Sequence, residues 1–375
     1  MRPVVIGIGT AVPPLRLTRS ESIDAATTLC AEDDDQARLL ETLYRQAGVE
    51  TRHVVYPREE YRRVVHGEGD LDSVFILKGR GDRGPSTAER MKRYERDATP
   101  LAEQACRAAL SESGAAPGAI THLVGVTCTG FAAPGVDIAL IKRLGLPMTV
   151  ERTQVGFMGC HGSFNGLRVA RGLLAADPKA VVLLASVELC SLHYAYGWDP
   201  KKVVGNALFA DGAAAVLLAN ETSPSARDWC LGGHGSCLFP DSERAMAWTI
   251  RDHGFDMVLS TKVPNLIREN LRPWLDGWLD RHGLSVADVG SWAIHPGGPR
   301  VLNGVLEALG RPKDSAAVSR EILETYGNMS SATILFILDR LMAEEAPRPC
   351  VALGFGPGLT VEAALFLRGE ATPRT

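Results

Sequence analysis

Short apolar runs alternate along this chain with stretches whose apolar residues recur every three or four positions. VVIGIG (4 to 9) and HLVGVTC (122 to 128) read as strands, while a helix is expected near 99 to 113, starting through Thr99 and Pro100, and another after Pro134. AVVLLASVEL (180 to 189) and AAAVLLA (213 to 219) are apolar almost throughout, which suits strands of a sheet covered on both faces. From about 230 the pattern restarts. An amphipathic helix spans 265 to 281, the strand SWAIH ends at His295, helices follow near 299 to 309 and 315 to 325, and strands near 350 to 355 and 359 to 367. Alternation of this kind predicts α/β layering, and the restart predicts two successive α/β halves, 1–230 and 231–375. The least patterned stretch, 52 to 96, is expected to be rich in loops.

Composition narrows the functional classes. With 375 residues, 45% of them hydrophobic, the chain can bury a large core and is neither disordered nor fibrous. A formal charge of -4 without a basic tail argues against nucleic acid as a partner. The eight Cys form no CxxC pair, and Cys230 with Cys237 has the wrong spacing for zinc, so they read as reduced thiols with no metal. MRPVVIGIGTAVPP is too briefly apolar for a signal peptide and no long apolar run follows, so the expectation is a soluble, cytoplasmic protein without a membrane partner. Arg58, Arg62, Arg63, Lys78, Arg80, Arg83, Arg90, Lys92, Arg93 and Arg96 make the 52 to 96 stretch basic. Glu59, Glu60, Glu68 and Asp70 interleave with them, so the stretch reads either as a solvated surface or as an entrance that attracts phosphates.

The candidate chemistry centres on Cys160. A strand-like stretch from Thr149 to Val155 gives way to Gly156 and Gly159, and a helical pattern through Phe164, Leu167, Ala170, Leu173 and Leu174 begins after the Cys. A sulfur at a helix N-terminus has its thiolate favoured by the dipole and unpaired N–H groups. A Cys on its own is more often a small buried hydrophobe than a nucleophile. Two further residues change that balance. His295 sits at a strand end before Pro296, Gly297 and Gly298, and Asn328 lies in YGNMSSATILF ahead of a helix through Ile334, Leu335, Ile337 and Leu338. Thiol, imidazole and a neutral amide donor suffice to acylate sulfur and hold the oxyanion of a thioester reaction. His161, about 100° from its neighbour on a helix, is expected to point elsewhere.

GIGTAVPP (7 to 14), LFADGAAAV (208 to 216), GNMSSA and GFGPGLTVE (354 to 362), together with Cys160 and His295, resemble the type III polyketide synthases of the chalcone and stilbene synthase superfamily over nearly the whole chain. The resemblance implies an α/β thiolase-like fold, two similar α/β halves packed as layered αβαβα. It also implies a Cys160, His295, Asn328 site, an acyl-CoA starter extended by malonyl-CoA, coenzyme A thioesters as substrates with no cofactor, a homodimer, and closure to a pyrone, resorcinol or phloroglucinol-type product. Phe209 corresponds to an aromatic gatekeeper and Met257 replaces a second one. Trp248 stands where chalcone synthases have Gly and is expected to restrict chain length. Cys128, Cys190 and His193 replace Thr of the plant enzymes, and Ser330 either lines the pocket or caps its helix. Gly354, Phe355, Gly356, Pro357 and Gly358 are expected to form a rigid loop shaping the cavity. Arg45 and Arg52 fall where the family contacts the nucleotide end of coenzyme A. Ala133 replaces a Met that crosses the plant dimer, so no cross-subunit plug is expected. The alternative is a β-ketoacyl-acyl-carrier-protein synthase III, whose His lies in an HQAN-like segment where this chain has HPGG. A 3-hydroxy-3-methylglutaryl-CoA synthase would need an acid that Glu103 and Glu151 do not convincingly supply, and a silent scaffold would not need all three reactive residues.

Overall fold

The computed structural model describes residues 2–79, 81–221 and 229–369. Its main sheet has nine strands. In spatial order, one group is Glu151–Gly156, His122–Thr127, Val182–Leu189, Asp211–Asn220 and Pro3–Ala11; the other is Cys230–Leu238, Thr360–Leu367, Cys350–Gly356 and Ser291–Ile294. The groups meet where Val4 pairs with Cys230, and Val5 N–H donates to Trp229 O at 3.0 Å.

Two helices, Gly162–Ala176 and Thr333–Ala343, lie between these groups. Thr333–Ala343 is apolar around nearly its whole circumference, as a helix covered on all sides must be. Phe164, Leu184, Val216, Leu335 and Ala364 meet in this central core. Thr87–Ser113 covers the outer face of the first group, and Val263–Asp280 with Pro299–Leu309 covers that of the second. The result is the layered αβαβα thiolase-like fold. Strand Cys350–Gly356 shows why the layers are specified: Cys350 and Ala352 face the central core, whereas Val351, Leu353 and Phe355 face the outer one, as a period of two requires. Among the described residues no helix is long and apolar enough to cross a membrane.

The 52 to 96 stretch departs from the expected loop. It holds the helix Arg58–His66 and the start of Thr87–Ser113, with Ser86 and Glu89 forming a capping box that was present in the sequence as S-x-x-E. Pro100 therefore lies inside a helix it was expected to begin, where it forgoes one backbone bond. Arg90 is fully buried, donating to Pro85 O at 2.9 Å and Tyr194 O at 3.1 Å, and buried Arg93 pairs with Glu60 at 2.8 Å. These two side chains are structural and unavailable to an entering anion; Arg80 lies outside the described residues.

Candidate active site

The strand Glu151–Gly156 turns sharply into Cys160. Phe157 (φ 58°) and Gly159 (φ 74°) take left-handed backbone, a short 3₁₀ turn runs from Gly159 to His161, and the helix Gly162–Ala176 follows. A Cβ at Gly159 would collide with the ring of Pro357, so the turn and the 354 to 358 loop are packed backbone to side chain. The Cys160 side chain is buried at this junction.

Asn328 reaches the same place from the other half of the chain. Its N–H donates to Leu208 O at 2.9 Å and its carbonyl accepts from Ala210 N–H at 3.0 Å, which fixes it beside Phe209. Its Oδ1 accepts from Ser330 N–H at 2.9 Å, so the amide NH₂ is the end left for the sulfur. Ser330 takes a φ of 48° there. His295 follows the strand Ser291–Ile294, its N–H bonded to Leu353 O at 2.8 Å. Both ring nitrogens are buried and neither has a hydrogen-bond partner. His161 turns away: its Nδ1 meets Asn165 Oδ1 at 2.9 Å and its ring packs against Gly356.

Burial dominates the electrostatics. It pushes the Cys160 thiol up to about 12, against hydrogen bonds from Ser330 and Asn328 that favour the thiolate. It pushes His295 down to about 3, with nearby His161 acting in the same direction. The expected lowering of the thiol by a helix N-terminus is thus outweighed, because the sulfur is enclosed. Thiol and imidazole are therefore both neutral at rest.

The chamber at Cys160 has about 360 Å³ of space, counting its mouth, and Cys128, Cys190, Phe209, Trp248, Met257, Ser330 and Pro357 all reach its wall. Trp248 and Met257 face each other across the ribbon Met246–Arg251 and Gly254–Leu259. The Trp248 indole N–H donates to Cys128 O at 2.9 Å. Cys128 Sγ accepts from Gly159 N–H at 3.0 Å. His193 stands behind this wall. It stacks on Phe255 with ring centroids 4.0 Å apart, donates through Nε2 to Thr129 O at 2.7 Å and accepts at Nδ1 from Phe255 N–H at 3.1 Å. Burial pushes it down to about 3, so it is neutral.

Several expected placements need correction. Arg52 is buried and donates to the carbonyls of Asn206 (2.8 Å), Phe209 (2.8 Å) and Ala207 (2.5 Å). It holds the Phe209 segment and does not face an incoming phosphate. Arg45 is exposed, paired with Glu41 at 2.8 Å one helical turn away. Phe355 points into the outer core, Gly354 abuts Phe164, Gly356 abuts His161, and Gly358 O accepts from Ser242 Oγ at 2.9 Å. Of that loop, Pro357 lines the chamber.

Glu188 is a residue the sequence reading passed over. Its buried carboxylate accepts from Cys128 N–H (2.9 Å), Thr129 Oγ1 (2.7 Å) and Ser331 Oγ, and burial raises its pKa. Ser331 Oγ also meets Ser186 Oγ at 2.9 Å, and Ser163 Oγ donates to Ser331 O at 2.6 Å. A single acid inside the apolar run AVVLLASVEL was its signal, because a buried charge must be bonded.

The chain matches the family descriptions "Chalcone and stilbene synthases, N-terminal domain" over residues 2–222 and "Chalcone and stilbene synthases, C-terminal domain" over 235–369. It is 34% identical over 370 residues to 1,3,6,8-tetrahydroxynaphthalene synthase of Streptomyces peucetius subsp. caesius, covering 96% of this chain and 92% of that protein. It is 31% identical over 371 residues to the alpha-pyrone synthesis polyketide synthase-like Pks18 of Mycobacterium tuberculosis, covering 97% and 90%. The crystal structure of PKS-I from the brown alga Ectocarpus siliculosus superposes with a TM-score of 0.91 at 29% identity over 98% of each chain.

Proposed function

Since the chain belongs to the chalcone and stilbene synthase family and is a type III polyketide synthase, we propose that Cys160, His295 and Asn328 carry its condensation chemistry, with the two sequence halves, 1–230 and 231–375, each contributing to one chamber. Cys160 passes its proton to His295 as the sulfur attacks the thioester carbonyl of an acyl-CoA starter. The imidazolium N–H and the Asn328 NH₂ hold the oxyanion, and collapse expels the coenzyme A thiolate, which takes the proton back. Malonyl-CoA then loses carbon dioxide while the same donors hold its enolate oxygen. The carbanion attacks the Cys160 thioester, the sulfur leaves, and the chain is two carbons longer. Asn328 suits the enolate because it donates without adding charge. Coenzyme A thioesters are the substrates, and no resident cofactor is called on. Closure to a pyrone, resorcinol or phloroglucinol-type product is the proposed end.

One observation carries this reading: Asn328, its side-chain oxygen already bonded, and Ser330 hydrogen-bond the buried Cys160 thiol, while His295, next to the His161 that follows Cys160, keeps two buried ring nitrogens without a partner. Purified protein incubated with malonyl-CoA and a panel of acyl-CoA starters tests it. Cyclised products formed without carrier protein support the synthase. A single β-keto product on carrier protein points to the ketoacyl synthase III, and a Cys160→Ala protein that still extends starters would overturn the assignment.

A homodimer belongs to the same proposal. Glu151–Gly156 is a sheet edge with four exposed residues, flanked by exposed Met148, Met158 and Phe131, and an apolar rim on an open edge invites a second copy. Sedimentation at micromolar concentration should give twice the chain mass.

A further inference from the structure

Beyond the Cys160 chamber lies a second and larger one of about 1040 Å³, counting its mouth, against about 360 Å³ at the sulfur. Cys190, Phe209, Trp248 and Met257 border both, forming a neck between them. From the neck the second chamber runs under the helices Arg19–Cys30 and Arg58–His66 to a far end at Leu17, Val54, Tyr61 and Val65. Those four residues are themselves buried, so the far end is covered.

The polar groups on its wall are already engaged. The Tyr44 and Tyr194 hydroxyls bond each other at 2.6 Å; Tyr56, Tyr61 and Tyr196 donate to Ser191 O (3.1 Å), Glu21 O (2.8 Å) and Phe75 O (2.6 Å). Glu60 is held by Ser73 and Arg93, Lys202 by Asp256 at 2.9 Å, and both nitrogens of His193 are occupied. Arg52 Nε is the one buried polar atom of this wall left without a partner. A phenol or an amide entering such a space would lose its water and gain little in return. A hydrocarbon loses nothing and leaves water behind.

We infer that this second chamber takes the aliphatic tail of a fatty acyl-CoA starter, threaded through the neck while its carbonyl rests at Cys160. The inference rests on the synthase reading above and names its starter class. Trp248 then acts differently from the sequence expectation. Pinned through its indole N–H to Cys128 O, it forms one side of the neck and directs a chain past it into the larger space.

The test uses the purified enzyme and straight-chain starters from acetyl-CoA to palmitoyl-CoA, with an aromatic acyl-CoA alongside. Acylation of Cys160 is followed by intact mass, and malonyl-CoA-dependent extension by product mass. Acylation kcat/KM should rise roughly fourfold per methylene over the span of the chamber before levelling. Ala25→Phe, which fills the wall near Leu29, should move the optimum to shorter chains, whereas Val65→Ala at the far end should not shorten it. Acylation flat or falling with length, while short or aromatic starters are extended, would overturn the inference and leave the synthase reading intact. Acylation that rises with length but is followed by no extension from any starter would support the ligand class and overturn the synthase reading. Absence of acylation by every thioester would overturn both.

Discussion

Replacing His295 by Gln tests the step on which acylation depends. Burial sets the thiol at about 12 and the imidazole at about 3. That gap corresponds to roughly 12 kcal/mol for parting the proton between them before the attraction of the resulting charges is counted. Attraction, hydrogen bonds from Asn328 and Ser330, and proton transfer concerted with attack must offset this cost. Without the imidazole the proton must leave to water, and a thiol near 12 is ionised to only about one part in 10⁵ at neutral pH. The Gln variant should therefore acylate about 10²- to 10⁴-fold more slowly, the usual worth of a positioned base. The sign with pH follows. His295 stays neutral down to about 3, so wild-type acylation should change little between about pH 6 and pH 9, whereas the variant should gain nearly tenfold per unit as hydroxide replaces the base. Single-turnover acylation by hexanoyl-CoA, without malonyl-CoA and read by intact mass, gives both profiles. A variant as fast as wild type, or a wild-type rate that falls with an apparent pKa near that of free imidazole, would refute the reasoning.

Asn328→Ala should slow malonyl-CoA decarboxylation by about 10²- to 10³-fold and acylation by less; equal losses in carbon dioxide release and acylation assays would mean the amide has no special part in enolate formation. Arg52→Met leaves the carbonyls of Asn206, Ala207 and Phe209 without their donor and should cost about 2–5 kcal/mol in chemical denaturation. A raised KM for malonyl-CoA with stability intact would instead return Arg52 to phosphate binding. His234 is pushed down to about 3 by burial and then by Arg171 and Arg168, and its ring nitrogens are unpaired. The unfolded chain takes up a proton there below about pH 6.5 while the folded one does not, so stability is lost as pH falls. His234→Phe should remove about 2 kcal/mol of the loss between about pH 7 and pH 5, and denaturation curves of equal pH dependence would show that the native ring is protonated.

The strands were legible because their near-continuous apolar runs have one explanation, burial on both faces, and every residue of Val182–Leu189 and Asp211–Asn220 is buried. The start of Thr87–Ser113 was not, since eleven basic residues in 52 to 96 masked the S-x-x-E cap. Charge density says nothing of where an arginine's stem goes, and Arg90, Arg93 and Arg52 went inward because backbone carbonyls or Glu60 were waiting for them. The three reactive residues were legible as types at element ends. Their protonation was not, because a helix N-terminus is a local property while enclosure of Cys160 comes from Pro357, Ser330 and Trp248, all distant in sequence.

That distinction also separates chemistry from scaffolding within the site. A polar side chain sealed from water must find a partner, and here Glu188, Ser331, Ser163, His161 and His193 have done so. Glu188 gathers the Cys128 turn, the Asn328 turn and its own strand onto one carboxylate, although its charge opposes a thiolate at Cys160. A fold that keeps an unhelpful charge so close is using it to fix three segments in register, which an apolar residue of equal size would not do. Against that background His295 stands out, its two ring nitrogens buried and unclaimed. In a region otherwise saturated with internal bonds, this unclaimed imidazole is the group left to meet a substrate oxygen. No sequence pattern shows it, since pairing is decided by chain segments that meet only in the folded protein.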